Sequence, residues 1–319
     1  MTTQAQAGAD APRIILPLDG SPRAERALDL AAVLAGGLGA RLLLLRVPLL
    51  QGLEMQMARE QDGSGVPAVF PSMQELVARA RGEAKAYLDT LGQQLAERGI
   101  ASDATVVEAS PADAILEAAD GAHMIVMASH GRGGLERWAF GSVTDKVLQA
   151  AESPLILVRE PSEWPAEGPR RILVPLDGSA LAERVLPQVT KLARAFGSEI
   201  ELLRVLAGAE EIGSGDGATE PQHGKTELRA AWAEDYLAEQ ARQLAESGLT
   251  VKHRVLPAAD VAEGLLAREA EPDIDLVAMT THGLGGVRRW AFGSVADRML
   301  RSALSPILLL RSVEERGQN

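Results

Sequence analysis

Arg13-Ile-Ile-Leu-Pro-Leu-Asp-Gly-Ser21 and Arg171-Ile-Leu-Val-Pro-Leu-Asp-Gly-Ser179 are one motif occurring twice in a single chain. Each is a short apolar run rich in β-branched residues that ends in Asp-Gly-Ser. The run reads as a buried strand, and Asp-Gly-Ser is strong turn chemistry. A helix start, Ala-Glu-Arg, follows each copy at Ala24 and Ala182. A second pair lies downstream: His130-Gly-Arg-Gly-Gly-Leu-Glu-Arg-Trp-Ala-Phe-Gly-Ser-Val143 and His282-Gly-Leu-Gly-Gly-Val-Arg-Arg-Trp-Ala-Phe-Gly-Ser-Val295. Between residues 128–159 and 280–311, 18 of 32 positions are identical, which chance does not produce. The front motifs are offset by 158 residues and the back motifs by 152, so the intervening loops differ in length.

The chain is therefore one domain written twice. The first copy is placed at 13–160 and the second at 170–312, with 161–169 between them as a stiff linker rich in proline. Residues 1–12 and 313–319 read as polar tails. At 319 residues the length agrees with about two domains.

Within the first copy, strands are expected at 13–18, 42–47, 104–108, 124–128 and 155–158. Helices are expected at 22–37 (stopped by Gly36-Gly37), 72–98, 111–119 and about 142–151, with a long loop over 48–71. The second copy repeats the order. Strands alternating with helices, and apolar without interruption, indicate an α/β sandwich: a parallel five-stranded sheet covered on both faces. Ligands in such sheets sit at the carboxyl ends of the strands. Both repeated motifs lie there.

The glycine loop suits a phosphate. Gly131, Gly133 and Gly134 let the backbone approach a ligand. Gly141-Ser142 precedes a helix, whose N-terminal amides and dipole favour an anion. The competing reading is structural. Ser142 with Asp145, like Ser294 with Asp297, forms a near capping box, and Trp138, Phe140, Trp290 and Phe292 read as packing residues. On spacing alone both readings stand. Asp19 and Asp177 likewise suit either a ribose or adenine contact or an Asx turn, and the turn is slightly favoured locally. No histidine or carboxylate is placed to complete a catalytic triad, and no catalytic residue or metal site is expected.

Other classes are excluded. Thirty-two basic against 44 acidic residues give a net charge of -12, split evenly between the halves, which disfavours nucleic acid and anionic membrane partners. There are no cysteines. No apolar run is long enough to span a membrane, and the N-terminus lacks signal-peptide features, so a cytoplasmic protein is expected. Gly224-Lys225-Thr226 lacks the first glycine of a P-loop. Two G-x-G-x-x-A matches, at 63–68 and 213–218, lack a preceding strand.

Taken in order, Ile172 to Ser179, Thr281-His282-Gly283, nine residues, Gly293-Ser294-Val295 and Ser305-Pro306-Ile307 resemble the universal stress protein family, and the first half matches equally. The resemblance covers nearly the whole chain as a tandem pair. It implies an adenine nucleotide α-hydrolase-like fold with strand order 3-2-1-4-5. It also implies ATP as ligand, with Mg²⁺ accompanying it, and pairing through the last strands, both within the chain and as a homodimer. By the same resemblance Pro17, Leu18, Asp19 and Val47 hold adenine and ribose, with Met127 and Ala128 beside the ligand. His130, Gly131, Arg132, Gly141, Ser142 and Val143 line the phosphates. The counterparts are Pro175, Leu176, Asp177, Val205, Met279, Thr280, His282, Gly283, Leu284, Gly293, Ser294 and Val295.

The sequence departs from the ATP-binding motif at its first glycine, which is Ala128 in one half and Thr280 in the other. A β-branched residue intrudes more than alanine, which favours the first half as the ATP site. The expected function is a stress-response regulator acting through bound nucleotide, with at most weak hydrolysis. The rival is a nucleotide-independent scaffold of the same fold. An ATP-cleaving enzyme is the weakest reading, because its signature loops are missing.

Overall fold

The computed structural model describes residues 11–48, 72–129, 140–159, 164–208, 222–281 and 292–311. The first half runs β1 (Arg13–Pro17), α1 (Pro22–Leu38), β2 (Arg41–Arg46), α2 (Met73–Glu97), β3 (Ser102–Val106), α3 (Pro111–Ala118), β4 (Met124–Ala128), α4 (Ser142–Ala150) and β5 (Leu155–Val158). The second runs β6 (Arg171–Pro175), α5 (Ala180–Glu183), α6 (Leu186–Phe196), β7 (Glu199–Ala207), α7 (Gln222–Glu246), β8 (Val251–Ala258), α8 (Val261–Glu269), β9 (Leu276–Thr280), α9 (Ser294–Ser302) and β10 (Ile307–Leu310).

The strands join in one sheet, ordered β3-β2-β1-β4-β5-β10-β9-β6-β7-β8. Each half has the expected order 3-2-1-4-5, all parallel. The halves meet where β10 pairs antiparallel with β5, Leu308 opposite Ile156. Each of these last strands then lies between two neighbours. A second copy of the chain cannot add to either edge, which corrects the expectation of a homodimer built through the last strands.

Alternation along the strands divides the core into two layers. Ile14, Leu16, Leu42 and Leu44 face α1 and α2 on one side, continuous with Val189 and Leu192 of α6 and Leu237 of α7. Ile15, Leu45, Ile125 and Leu157 face α3 and α4 on the other, continuous with Leu265 of α8 and Met299 and Leu300 of α9. The result is a three-layer α/β/α sandwich shared by both halves.

Three local expectations are corrected. Gly36-Gly37 does not stop α1, which continues to Leu38 and ends on Gly39 in the left-handed region, φ 61°. Gly37 serves a close approach instead: a Cβ there would lie 2.2 Å from the ring of Phe196, in the other half. The third strand begins at Ser102, not 104, because an edge strand pairs on one side only and tolerates the polar Ser102-Asp103. The first helix of the second half is broken into α5 and α6. Pro187 lies in the first turn of α6, where its missing N–H costs nothing.

The second half also carries a charged cluster that the first lacks. Arg268, 2% exposed, donates through Nε and Nη2 to both oxygens of Glu201, at 2.7 and 2.5 Å. Its Nη1 reaches Asp273 at 2.8 Å. Glu201 pairs in register with Leu173 as Leu43 pairs with Ile15, so a leucine holds the corresponding place in the first half.

Candidate functional site

At the carboxyl end of β1 the chain turns sharply. Gly20 takes φ +77°, open to glycine without strain. Asp19 Oδ1 accepts the Ser21 amide at 2.9 Å, and the Ser21 hydroxyl accepts from the Ala24 amide, capping α1. The second half repeats this. Gly178 takes φ +85°, and Asp177 Oδ1 accepts from the Ser179 amide at 3.0 Å and its hydroxyl at 2.6 Å. The turn reading of both aspartates is thus realised. It places each carboxylate at the centre of its half's strand ends.

Neighbouring strands are tied to this turn. The Leu18 amide donates to Leu45 O and the Leu176 amide to Leu203 O, which sets Val47 and Val205 beside the turn. On the far side the Ser129 amide donates to Val158 O and the Gly141 amide to Ser129 O. The Thr281 amide donates to Leu310 O and the Gly293 amide to Thr281 O. These bonds bring the first residues of α4 and α9 back over the ends of β4 and β9.

The helix starts differ from the capping-box reading. Gly141 and Gly293 are the N-caps, and neither helix has a side-chain cap hydrogen bond. Ser142 and Ser294 are the first helical residues and are exposed. The side chain of Asp145 accepts from Gln149, and that of Asp297 from Arg301. The first-turn amides of an α-helix have no intrahelical acceptor. Ser21, Ser72, Ser179 and Asp260 meet that demand at four other helices, while α3 and α6, like α4 and α9, have no side-chain cap. What sets α4 and α9 apart is their place, with their first-turn donors drawn back over the ends of β4 and β9.

In the second half a cavity of about 340 Å³ lies in front. Pro175, Leu176, Asp177, Val205, Met279, Thr280, Gly293, Ser294 and Val295 all line it, so the structure gathers these nine expected residues around one space. Leu203, Leu265 and Ala296 complete an apolar floor. Thr280 is buried at the end of β9 and forms part of the wall. In the first half Pro17, Leu18, Asp19, Val47, Met127, Ala128, Gly141, Ser142 and Val143 occupy matching positions. Thr144 Oγ1 donates to Ala128 O at 3.4 Å. His130, Gly131, Arg132, His282, Gly283 and Leu284 lie outside the described residues. Among those described, no three His, Asp or Glu side chains gather as a metal site.

The structure adds residues that the sequence reading passed over. Arg46 ends β2 and Arg204 holds the matching place three residues before the end of β7, inside a repeated Leu-Leu-Arg-Val (44–47 and 202–205) that was the available signal. The Arg46 guanidinium lies 4.4 Å from the ring centroid of Tyr87, and that of Arg204 4.5 Å from Trp232, which stacks on Tyr236. Tyr87 donates to Glu25 at 3.0 Å and Tyr236 to Glu183 at 2.8 Å. Burial, reinforced by these carboxylates, pushes both phenols above the usual tyrosine range. Burial also lowers the pKa of Arg204, opposed by the charge of Asp177.

The family model for the universal stress protein family matches residues 11–159 and again 168–311. A universal stress protein of Mycolicibacterium smegmatis is 27% identical over 229 residues, 71% of this chain and 74% of that protein. One of Mycobacterium tuberculosis is 26% identical over 224 residues, 68% of this chain and 71% of its own length. Among solved structures, a universal stress protein from Archaeoglobus fulgidus superposes with a TM-score of 0.67 at 17% identity, covering 95% of this chain and 99% of that one. At that identity the likeness concerns the fold.

Proposed function

The chain belongs to the universal stress protein family, and from that premise we propose that it is a stress-response regulator that binds adenine nucleotide, ATP in the first instance, at the strand-end crevice of each half. The observation that carries the reading is the pair of uncapped helix starts at Gly141 and Gly293, the second facing a cavity lined by the nine expected residues. Backbone donors without partners at a helix N-terminus favour phosphate oxygens. The cavity volume, about 340 Å³, lies in the lower part of the usual ligand-site range.

The residues fit the nucleotide. The first-turn amides of α4 and α9 would hold phosphate, and the strand-end carboxylates Asp19 and Asp177 sit beside the apolar floor where sugar and base would lie. Mg²⁺ would arrive with the triphosphate. A regulator of this kind works by binding, in the cytoplasm, and turnover is not part of the proposal. Among the described residues no helix is long and apolar enough to cross a membrane. A homodimer of this chain has to use a surface other than β5 and β10.

Amide hydrogen exchange with and without millimolar ATP tests the reading. Protection is expected at residues 141–144 and 293–296, with calorimetry giving a saturable isotherm. Unchanged exchange in both segments would overturn it in favour of a nucleotide-independent scaffold.

A further inference from the structure

Two arginines line the second crevice away from α9. Arg204 lies three residues before the end of β7, and Arg229 comes from the early turns of α7. They are close enough for the charge of Arg229 to act against that of Arg204. The Arg204 guanidinium is held over Trp232, with Nη1 packed out of solvent against Gly178 and Trp232, so it offers the crevice its charge and its remaining donors. Asp177 sets one negative charge against that of Arg204.

The first half is built differently. Counting back from the shared Tyr-Leu pair (Tyr87-Leu88, Tyr236-Leu237), the residue matching Arg229 is Ala80 and the residue matching Trp232 is Glu83. At these matched helix positions the second cation is found in the second half alone.

The sheet sets the spacing. β6, bearing Asp177, lies between β9 and β7. Strands lie about 4.8 Å apart, and Leu203 pairs with Pro175 at the end of β6, so the end of β9, where α9 begins, and the backbone of β7 near Arg204 are separated by roughly 10 Å. An anion site therefore stands on each side of the carboxylate that faces the sugar. Resting on the nucleotide reading above, we propose that the second crevice selects adenosine nucleotides phosphorylated on both sides of the ribose, of the adenosine 3′,5′-bisphosphate class. The 5′-phosphate takes the amides of Ser294 and Val295. The ribose phosphate takes Arg204 and Arg229, a bidentate or paired contact that guanidinium groups suit.

The test uses the full chain, calorimetry with AMP and with adenosine 3′,5′-bisphosphate, and the variants R229A and R229K. Arg229 is exposed, and thermal unfolding checks that the variants fold. In the wild type the bisphosphate is expected to bind one site at least tenfold tighter than AMP. R229A brings that ratio to about one, and R229K keeps part of it. Equal affinities in the wild type, or a ratio that survives R229A, overturn the inference and leave the nucleotide reading intact. No binding of AMP, ATP or the bisphosphate overturns both.

Discussion

Proline at the first position of α9 separates the helix from its donors. Ser294 is that position, and Gly293 before it has φ -65° and ψ 156°, an extended conformation that a following proline accepts. Proline there breaks no intrahelical hydrogen bond and is pre-set for helix entry. Ser294→Pro therefore removes one crevice-facing N–H and one hydroxyl while α9, buried through Ala296, Met299 and Leu300, remains in place. A hydrogen bond to a charged group contributes about 1.5–3 kcal/mol, which corresponds to roughly 10- to 150-fold in affinity. Ser294→Ala removes the hydroxyl alone and separates the two contributions. Calorimetry with ATP reads the affinity, and urea unfolding verifies that stability shifts by less than about 1 kcal/mol. The same pair at Ser142, where Gly141 has φ -62° and ψ 148°, tests the first crevice. A folded Ser294→Pro chain that binds ATP at both sites with wild-type affinity would refute the phosphate role of α9.

Three further outcomes concern the scaffold. Arg268→Met leaves Glu201, 4% exposed, with Arg254 at 4.0 Å as its remaining cation among the described residues, and is expected to cost about 3–5 kcal/mol in urea unfolding. Glu201→Leu in the same chain, matching Leu43 of the first half, should restore most of that loss; a double variant no better than the single contradicts the account. The chain has two tyrosines, and both are held above their usual range by burial and by hydrogen bonds to Glu25 and Glu183. The unfolded chain releases its phenolic protons near pH 10, so these contacts stabilise the fold fully below that pH and their contribution is lost as pH rises toward the folded pKa. Tyrosinate absorbance at 295 nm should appear together with unfolding, and its appearance near pH 10 in a folded chain would count against this. Finally, Arg159 donates to Leu300 O at 2.6 Å and Arg311 to Ala150 O at 3.2 Å, so each half caps the other's last helix. Arg159→Ala should cost about 1–2 kcal/mol and the exposed Arg311→Ala less than about 1; the reverse order would show that the caps do not act by burial.

How legible all this was depends on what each residue had to satisfy. Ile14 to Leu16 and Ile172 to Val174 are fully buried on both faces of the sheet, so hydrophobicity and β-branching alone mark them as strands. The Asp-Gly-Ser turns were legible because φ near +80° demands glycine. Gly36-Gly37 misled because a glycine required for close packing looks the same in sequence as one that ends a helix; its partner, Phe196, is 159 residues away. Ser142 and Ser294 misled because a serine one position inside a helix has the composition of a cap but not its geometry. The arginines at 46 and 204 were hidden by the rule that strand ends facing water carry charge. Their aromatic partners sit on a helix whose spacing to them a linear reading does not supply.

The antiparallel junction also decides how the two crevices relate. The strands of the two halves run in opposite directions across β5 and β10, so the crevices open at opposite edges of one sheet. α9, nine residues and therefore about 13 Å long, begins at the second crevice and ends near the first. Arg301, in its last turn, is paired with Asp297 of its own helix at 2.9 Å; it also lies 5.5 Å from the ring centroid of Phe140, the residue before Gly141, and is attracted more weakly by the carboxylate of Asp145 in the first turn of α4. It thus partly offsets the negative charge of Asp145 beside the amides assigned to phosphate in the first half. Arg301→Gln removes that offset. For a half-exposed cation the loss is about 0.5–1 kcal/mol, or roughly two- to fivefold weaker ATP binding in the first crevice. The effect shrinks in high salt, because Asp145 is then screened. Amide exchange over residues 141–150 reads that site alone, and unchanged ATP protection there in Arg301→Gln at low salt would show that the halves share a sheet without sharing electrostatics.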